Sequence, residues 1–448
     1  MDFDILPILL VCTGSYFLIK LHFFFLLHPI RTAARALRSV KDKRAAKSFF
    51  LALAGTLGVG NVFGVALGIL VGGAGSLFWL LVSMIFAMVI KYSEVVLTSD
   101  NLYHDTDTHG GFYYVIRRSF ARFGGALSAS YALVTLFISL VMGAALQTDA
   151  VSETVFQITD TSAFSLAVAF TLLTLFAIIG GTGKIEKITS VIIPLTTVIY
   201  IFLTFSIVIV NIYALPDVIK NVFYEAFTPK GALGGGLAFY TSLALREGFK
   251  RGLLSNEAGA GTSSIAHARS GVLSPSSAGL LGMLEVWFDT GLVCMLTGVS
   301  ILVSVPDISR FDGGMGLVMY AVGNLFGTAG KTATLACVFA FAFATVICWY
   351  YYGSECWCAL FGRRRRILFL PLFLIAVFLG FYSDEYLLIY LTDILMAIAT
   401  VLTLATMIKN SDRIRYLSEN GGVIDCEKGR VRPFKIKGSV FLKGEKRP

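Results

Sequence analysis

Long apolar runs separated by short polar segments make up most of this chain. A helix that crosses the ~30 Å hydrocarbon core of a bilayer needs about 20 apolar residues, and about eleven runs of that kind occur. The sequence therefore predicts an all-α polytopic membrane protein with about eleven transmembrane helices. The predicted spans are approximately residues 4–28, 49–72, 76–98, 125–148, 164–180, 188–213, 232–254, 276–304, 333–360, 366–382 and 386–408.

The composition agrees with a membrane protein and excludes a water-soluble one. Of the 448 residues, 56% are hydrophobic and 15% are charged, whereas about 25% of a soluble globular chain is charged. The seven cysteines show neither a disulfide framework nor paired zinc-ligand spacing. The five histidines lie toward predicted span ends or loops, without a metalloprotease His–Glu spacing. Neither an enzyme nor a cofactor is expected.

Lysine and arginine concentrate in alternate predicted loops, which predicts an orientation. They are frequent in the odd-numbered loops and in the tail from Lys409 to Arg447, and scarce in the even-numbered loops. The seventh loop includes Arg246, Lys250 and Arg251 in this interpretation. Because such residues favour the cytoplasmic side, we expect a multi-pass cell-membrane protein with its N-terminus outside and its C-terminus inside. This anchoring explains the net charge of +9, so no nucleic-acid partner is expected.

The second predicted span is interrupted near mid-membrane. An Asn amide and loosened backbone at that depth are costly unless they face an ion, a substrate or water, so we interpret residues 58–61 as unwound. Released carbonyls suit a cation such as Na⁺, and free backbone amides suit a carboxylate. For Gly64 and Gly68 the alternative is close packing of two helices. The small and polar residues of this span include Gly55, Thr56, Gly58, Gly60, Asn61 and Gly64.

A second interruption lies around the seventh predicted span. A glycine run precedes an amphipathic stretch, and Asn256 and Glu257 then lie among small residues that include Gly259 and Gly261. Two glycine-broken segments in separate halves are typical of inverted-repeat transporters with a binding site at the midplane. Without the first span, the other ten divide five and five with a broken span opening each half, provided that the seventh run crosses.

Other polar residues inside the predicted spans extend the candidate site. An intramembrane acid is a functional candidate, with pairing to a basic neighbour or helix capping as the structural alternative. For Thr345 the alternative is a bond to its own helix carbonyl, and for Trp349 a place in the interfacial aromatic belt. These polar residues are Gln147, Glu285, Asp289, Thr345, Trp349 and Asp393.

Three further features are interpreted as structural. Tyr350, Tyr351 and Tyr352 are assigned to the aromatic belt. Lys91 and Glu94 are interpreted as a pair at the cytoplasmic end of a helix. Residues 409–448 are the one segment composed like an aqueous one, and a hairpin, contact with anionic lipid and disorder are all open for it.

Five stretches of the chain are specific and ordered along it. They are GTLGVGNVFGVALGILVGGAGSLFW at 55–79, KYSEV at 91–95, GGFYYVIRR at 110–118, RGLLSNEAGAGTSSIAHA at 251–268 and AFATVICWYYYGSE at 342–355. With these stretches the sequence resembles the alanine or glycine:cation symporter family, the sodium:alanine symporters. The resemblance implies a LeuT-type fold, with a peripheral helix at 1–30, inverted five-helix repeats at 48–213 and 231–408, and a basic cytoplasmic tail at 409–448.

The resemblance also implies which residues form the sites. The family's acidic motif corresponds to Asn256, Glu257, Gly259 and Gly261. Sodium would bind backbone carbonyls near Leu53, Gly55 and Gly58 together with the hydroxyl of Thr345. The small-amino-acid site would consist of Thr56, Gly60, Asn61, Gly64, Gln147, Leu253, Thr345 and Trp349.

The function implied is sodium-coupled symport of alanine, glycine or D-alanine through a lipid bilayer, without catalysed chemistry. Ion binding would stabilise an outward-facing state that binds substrate, and joint occupancy would permit the change to the inward-facing state. Two alternatives stay open. One is a proton-coupled permease of the same fold with Glu257 or Asp289 as the proton carrier, and the other is a passive channel.

The chain departs from the family pattern at three places. Phe112 stands where Pro is usual, Ser263 and Ser264 stand where Ala-Pro is usual, and Phe63 replaces a residue that is usually small. If Phe63 projects into the pocket, it favours glycine and alanine as substrates. If it faces lipid, it has no bearing on substrate size.

Overall fold

The computed structural model describes residues 5–102, 110–159, 161–228, 243–268, 274–311 and 313–421. These residues form helices and connections without a strand among them, which confirms the all-α prediction. Apolar runs adopt helices because backbone polar groups in a membrane must be bonded within the protein. The helices of the first half are α1 (Ile5–Lys20), α2 (Phe24–Leu27), α3 (Pro29–Ser39), α4 (Lys43–Thr56), α5 (Phe63–Gly72), α6 (Gly75–Leu102), α7 (Phe112–Ser119), α8 (Gly124–Leu140), α9 (Leu146–Phe156), α10 (Ala163–Ile179), α11 (Gly181–Val210) and α12 (Leu215–Phe227).

The second half contains three long helical segments, 275–304, 314–361 and 385–409, together with several shorter helices. A π-helical segment, Trp287–Cys294, continues α15 into α16, as Val141–Ala145 continues α8 into α9. Helix α17 is kinked at Gly327, whose φ of 57° lies in the left-handed region that suits glycine. These helices are α13 (Leu243–Asn256), α14 (Ser264–His267), α15 (Pro275–Val286), α16 (Met295–Ser304), α17 (Gly314–Phe361), α18 (Phe369–Gly380), α19 (Glu385–Lys409) and α20 (Ser411–Asn420).

Within the described ranges, six helical segments are long and apolar enough to cross a membrane, and α4 with α5 forms a seventh candidate bent by 62°. Leu6–Lys20 and Ala163–Ile179 are shorter apolar helices. The chain is therefore a multi-pass membrane protein. The count of eleven spans and the five-plus-five repeat stay predictions, because α18 has 12 residues and part of the seventh run, 232–242, lies outside the described residues. The six segments are Gly75–Asp100, Gly124–Phe156, Gly181–Val210, Pro275–Ser304, Gly314–Phe361 and Glu385–Lys409.

The interrupted pair α4–α5 contacts two groups of packed helices. Helix α6 packs along α13 and α15, while α17 packs along α8 and α11. Helix α5 packs on α13 and α17, and α4 packs on α11 and α17. Small residues permit the close approach of α13 to α6, since a Cβ at Gly252 would collide with Ser83. The two halves of the broken helix are thereby held from both groups.

The three tyrosines that follow Trp349 are buried, so their assignment to the aromatic belt is wrong. The ring of Tyr350 stacks on Phe369 of α18 with 5.7 Å between centroids. The Tyr351 hydroxyl donates to the carbonyl of Ile265 at 3.4 Å, and Tyr352 packs edge-on against Trp349. Neighbouring helices cover all faces of this turn, which hydropathy alone does not reveal.

The start of the predicted tail is an ordered helix. Helix α20 packs on α6, where Arg413 donates from Nε and Nη2 to the two carboxylate oxygens of Asp100 at 2.9 and 2.8 Å. The buried hydroxyl of Tyr92 donates to Ser418 at 2.8 Å. A hairpin or disorder is therefore wrong for residues 411–420. Residues 422–448 lie outside the described part of the chain.

Candidate substrate and cation site

The break predicted in the second span is present between α4 and α5. Helix α4 ends at Thr56, a 3₁₀ turn covers Val59–Asn61, and α5 begins at Phe63. The last bond of α4 runs from the amide of Leu57 to the carbonyl of Leu53 at 2.7 Å. Backbone groups around the break are therefore released from the helical ladder at the place where the two halves bend apart.

Gly58 lets two polar side chains approach the break. A Cβ at this position would lie 2.7 Å from Gln147 Oε1 and 2.9 Å from Thr345 Oγ1, which is closer than ordinary contact. The Gln147 Oε1 atom accepts a hydrogen bond from the amide of Val59 at 3.1 Å, and its Nε2 donates to the carbonyl of Met142 at 3.1 Å. Gln147 thus ties the break to the start of α9.

Thr345 and Trp349 of α17 bind the last turn of α4 from another side. The Thr345 hydroxyl lies 2.9 Å from the carbonyl oxygen of Ala54 and 3.3 Å from that of Leu57. Trp349 Nε1 donates to the carbonyl of Gly55 at 3.2 Å. The Thr345 hydroxyl and the carbonyl oxygens of Ala54 and Leu57 therefore converge at the carboxyl end of α4, where the helix dipole favours a cation. Of the carbonyls predicted for sodium, that of Leu53 bonds Leu57 and that of Gly55 bonds Trp349.

A pocket lies against the break. Four of the residues predicted for the substrate line it, namely Thr56, Gly60, Gly64 and Gln147. Gly55 and Gly58 of the predicted sodium set line it as well, whereas Leu53, Asn61, Leu253, Thr345 and Trp349 do not. The full lining is Gly55, Thr56, Gly58, Val59, Gly60, Phe63, Gly64, Met142, Leu146, Gln147, Arg251, Leu254 and Ile389.

Asn61 turns away from the pocket into a buried polar centre. Its Nδ2 atom donates to Asp289 Oδ1 at 2.6 Å and to Ser255 Oγ at 3.0 Å, while its Oδ1 accepts from the amide of Gly58 at 3.2 Å. The other Asp289 oxygen accepts from Ser255 and from Thr290, the latter at 2.8 Å. Asp289 therefore links the first break to α13 through amide and hydroxyl donors.

The second predicted break follows α13. Glu257, Gly259 and Gly261 have positive φ values of 53°, 85° and 81°, so the chain leaves the helix after Asn256. The Asn256 side chain donates to Thr290 at 3.1 Å and accepts from the amide of Ala258 at 3.0 Å. Glycine is required at 261 by its φ and by space, because a Cβ there would collide with the Tyr131 hydroxyl.

Comparison with known protein families shows the family to which this chain belongs. The family model described as "Sodium:alanine symporter family" matches residues 1–415. This chain belongs to the sodium:alanine symporter family. The earlier resemblance is thus confirmed, and the protein is a transporter and not an enzyme.

Curated relatives of this symporter-family chain match along most of its length. An uncharacterised transporter of Haemophilus influenzae is 30% identical over 410 residues, covering 89% of this chain and 90% of the relative. The sodium/alanine symporter AgcS of Methanococcus maripaludis is 29% identical over 394 residues, covering 83% and 84%. The amino-acid carrier protein AlsT of Bacillus subtilis is 29% identical over 351 residues, covering 77% and 74%.

The family motif around Lys91 belongs to a buried charge network, so its interpretation as a helix-end pair is wrong. Lys91 is fully buried and donates to Ser263 at 2.7 Å, with Glu285 Oε1 at 3.6 Å from its Nζ. The other Glu285 oxygen lies 2.7 Å from Nε2 of His267. Glu94 accepts instead from the amide of Gly259 at 3.1 Å. Ser263, where the family usually has Ala, is therefore a partner of Lys91.

Sequence reasoning missed Met142, Leu146, Arg251, Leu254 and Ile389 as lining residues of this family member. The interpretation of Arg251 as a loop charge is wrong, because it is buried in α13 against α5. The sequence signal that could have indicated a role for Arg251 in the site was its position beside a glycine-broken span. The hydrophobic lining residues carry no such signal, because apolar residues are common in every span. On α13, Arg251 and Leu254 face the pocket at a spacing of three, which leaves Leu253 on another face.

Proposed function

We propose that this chain carries a small neutral amino acid, alanine, glycine or D-alanine, together with Na⁺ across the cell membrane by alternating access. The interrupted helix α4–α5 carries the proposal, because its released backbone meets both a pocket and the oxygens around Thr345. The names of two relatives, a sodium/alanine symporter and an amino-acid carrier, support it. The proposal includes eleven spans in a LeuT-type arrangement with the N-terminus outside.

The lining of the pocket supports a substrate with a small side chain. Gly55, Gly60 and Gly64 contribute no side chains, and a Cβ at Gly60 would meet nothing within 4 Å. Phe63 also lines the pocket, so it narrows the space available to a substrate. Amides at the start of α5 suit the carboxylate of an amino acid, because the amino end of a helix favours negative charge.

The cation would bind at the carboxyl end of α4. The Thr345 hydroxyl and the carbonyls of Ala54 and Leu57 are oxygen ligands already close together. Carbonyls at broken helix ends are the ligands with which transporters of this kind hold Na⁺. The carbonyls of Gly55 and Gly58 would complete the shell only after releasing their present donors, Trp349 Nε1 and the amide of Asn61.

Binding of the ion and binding of the amino acid would be coupled because both ligands contact the same helix break. The ion would draw α4 toward Thr345 of α17, while the amino acid would contact α5, Gln147 and α13 across the pocket. A ligand shifts a conformational equilibrium only by its different affinity for the two states. Because both ligands act on the same break, each is expected to raise the affinity for the other.

Initial uptake of labelled L-alanine into proteoliposomes tests this proposal. The full-length protein is assayed with external Na⁺ and with K⁺ in its place, at equal pH and membrane potential, with protein-free vesicles as control. Uptake is expected only in Na⁺, with competition by glycine and D-alanine. Uptake that is indifferent to Na⁺, or absent for all small amino acids, contradicts the proposal.

A second candidate, proton-coupled transport, is favoured by the buried network. Four fully buried carboxylates, Glu94, Glu257, Glu285 and Asp289, lie within electrostatic reach of the fully buried Lys91, and His267 is bonded to Glu285. Lys91 neutralises only one of them, and excess buried charge is neutralised by protons or cations. Uptake driven by an inward proton gradient without Na⁺, and lost in Glu257→Gln, would select this candidate.

A further inference from the structure

One charged side chain reaches the pocket from α13. Arg251 lines the pocket together with Gly60 and Gly64 of the first break, and its side chain is 8% exposed. It crosses α5 where glycines leave room, since a Cβ at Gly68 would lie 3.0 Å from Arg251 Cγ. Gly64 and Gly68 of α5 therefore leave the space through which the Arg251 side chain reaches the pocket.

The guanidinium of Arg251 is oriented but not saturated. Its Nη2 atom donates to Glu247 Oε2 at 2.9 Å, one helical turn earlier. Its Nε atom is buried and has no hydrogen-bond partner within the described part of the chain. A buried donor without an acceptor is costly, so the geometry favours an acceptor ligand at this edge of the pocket.

Charge identifies that ligand. Among the described lining residues Arg251 alone carries a formal charge, whereas Thr56 and Gln147 are neutral. A carboxylate is costly in a water-poor site unless it is paired, and the fork of an arginine matches it with two parallel bonds. This inference rests on the transport function proposed above: we propose that Arg251 binds the α-carboxylate of the substrate. The pocket would then select amino acids with a free carboxylate over their amides and over simple amines.

Glu247 acts as a positioning residue in this arrangement. By accepting from Nη2, it restrains the plane of the guanidinium, and Nε with the second Nη2 hydrogen would supply the two bonds to a carboxylate. Glu385 at the start of α19 also lies within electrostatic reach of Arg251. A purely structural arginine would bridge these two acids and would be indifferent to the charge of the substrate, and this difference can be measured.

Titration calorimetry of the purified full-length protein in Na⁺ provides the test, with L-alanine and L-alaninamide as ligands. The wild type is expected to bind L-alanine more tightly than L-alaninamide. Arg251→Met should weaken L-alanine binding by about 10- to 100-fold and leave L-alaninamide within about twofold. Arg251→Lys keeps the positive charge but not the two parallel donors of the guanidinium, so its loss of L-alanine affinity should be intermediate. The matched control is Lys250→Ala, whose side chain lies 3.6 Å from Asp393 and does not line the pocket.

The outcomes separate this inference from the proposal beneath it. If the wild type binds no small amino acid in Na⁺, the proposed function and this inference both fail. If the wild type binds L-alanine but the Arg251 variants lose both ligands equally, or neither, only this inference fails. Gel filtration establishes that each variant is folded. If Arg251→Met does not fold, Arg251→Lys carries the test, with selective loss of L-alanine supporting the inference and equal or absent loss overturning it.

Discussion

Replacing Gln147 with Ala is predicted to weaken both binding and transport of alanine. The amide of Gln147 is the buried link between the break and α9, since it accepts from the amide of Val59 and donates to the carbonyl of Met142. It also lines the pocket. The substitution removes a contact surface for the substrate and leaves the Val59 amide without its acceptor.

The size of the effect follows from that amide. A buried donor that loses its partner costs about 1–3 kcal/mol, which corresponds to about 5- to 150-fold in an equilibrium constant. This loss of free energy destabilises the conformation in which Gln147 bonds the break. That conformation is the one proposed to bind the substrate. The dissociation constant of alanine should therefore rise by at least about fivefold, with a matching loss of uptake at low substrate.

Binding by titration calorimetry and uptake by proteoliposomes check this prediction together. The control is Thr148→Val, because the neighbouring hydroxyl bonds, among the described residues, to the carbonyls of Ala144 and Ala145 one turn earlier, at 3.2 and 3.1 Å. The control variant should keep its alanine affinity. An unchanged alanine affinity in a folded Gln147→Ala protein would show that Gln147 does not belong to the binding site.

Three further predictions use other parts of the molecule. Thr345→Val should raise the half-saturating Na⁺ concentration by about tenfold while Thr345→Ser should not, and equal effects would contradict the cation site. Arg413→Ala should destabilise the detergent-solubilised protein by about 1 kcal/mol through loss of its Asp100 bonds, and an unchanged melting temperature counts against that role. In intact cells, an impermeant maleimide should label Ser309→Cys but not Arg364→Cys, and the opposite pattern would reverse the proposed orientation.

The helical architecture and both interruptions could be predicted from the sequence, because their causes are local. Apolar runs of membrane length require helices, and glycine next to a polar amide at mid-membrane is a local signal for a break. Gly58 was found in this way and Gln147 as a polar residue inside the fourth predicted span, and the structure brings them together, since a Cβ on Gly58 would lie 2.7 Å from Gln147 Oε1.

Directions of side chains could not be predicted, because they depend on partners far along the chain. Asn61 faces Asp289, which is 228 residues away, and not the pocket. Lys91 is interpreted from the sequence as one member of a helix-end pair with Glu94, whereas its direct contacts are Ser263 and Glu285. Local spacing says nothing about which of several buried acids is nearest in space.

Arg251 illustrates a different limit, which concerns charge in an amphipathic stretch. Three basic residues within six positions are typical of a loop at a span end. The structure instead buries Arg251 between α13 and the glycine face of α5. Only the packing of the two helices separates an anchoring charge from one that lines a pocket.

Coupling of a sodium gradient to a small amino acid is the central property proposed for this protein, and the steady-state accumulation of L-alanine measures it directly. Proteoliposomes with the full-length protein are given a fixed inward Na⁺ gradient at equal pH on both sides, and the internal and external alanine concentrations are compared. Sodium-coupled symport predicts an internal alanine concentration above the external one, which rises with the sodium gradient and collapses with a sodium ionophore. Equal concentrations inside and outside at every gradient would contradict it and indicate a passive pathway.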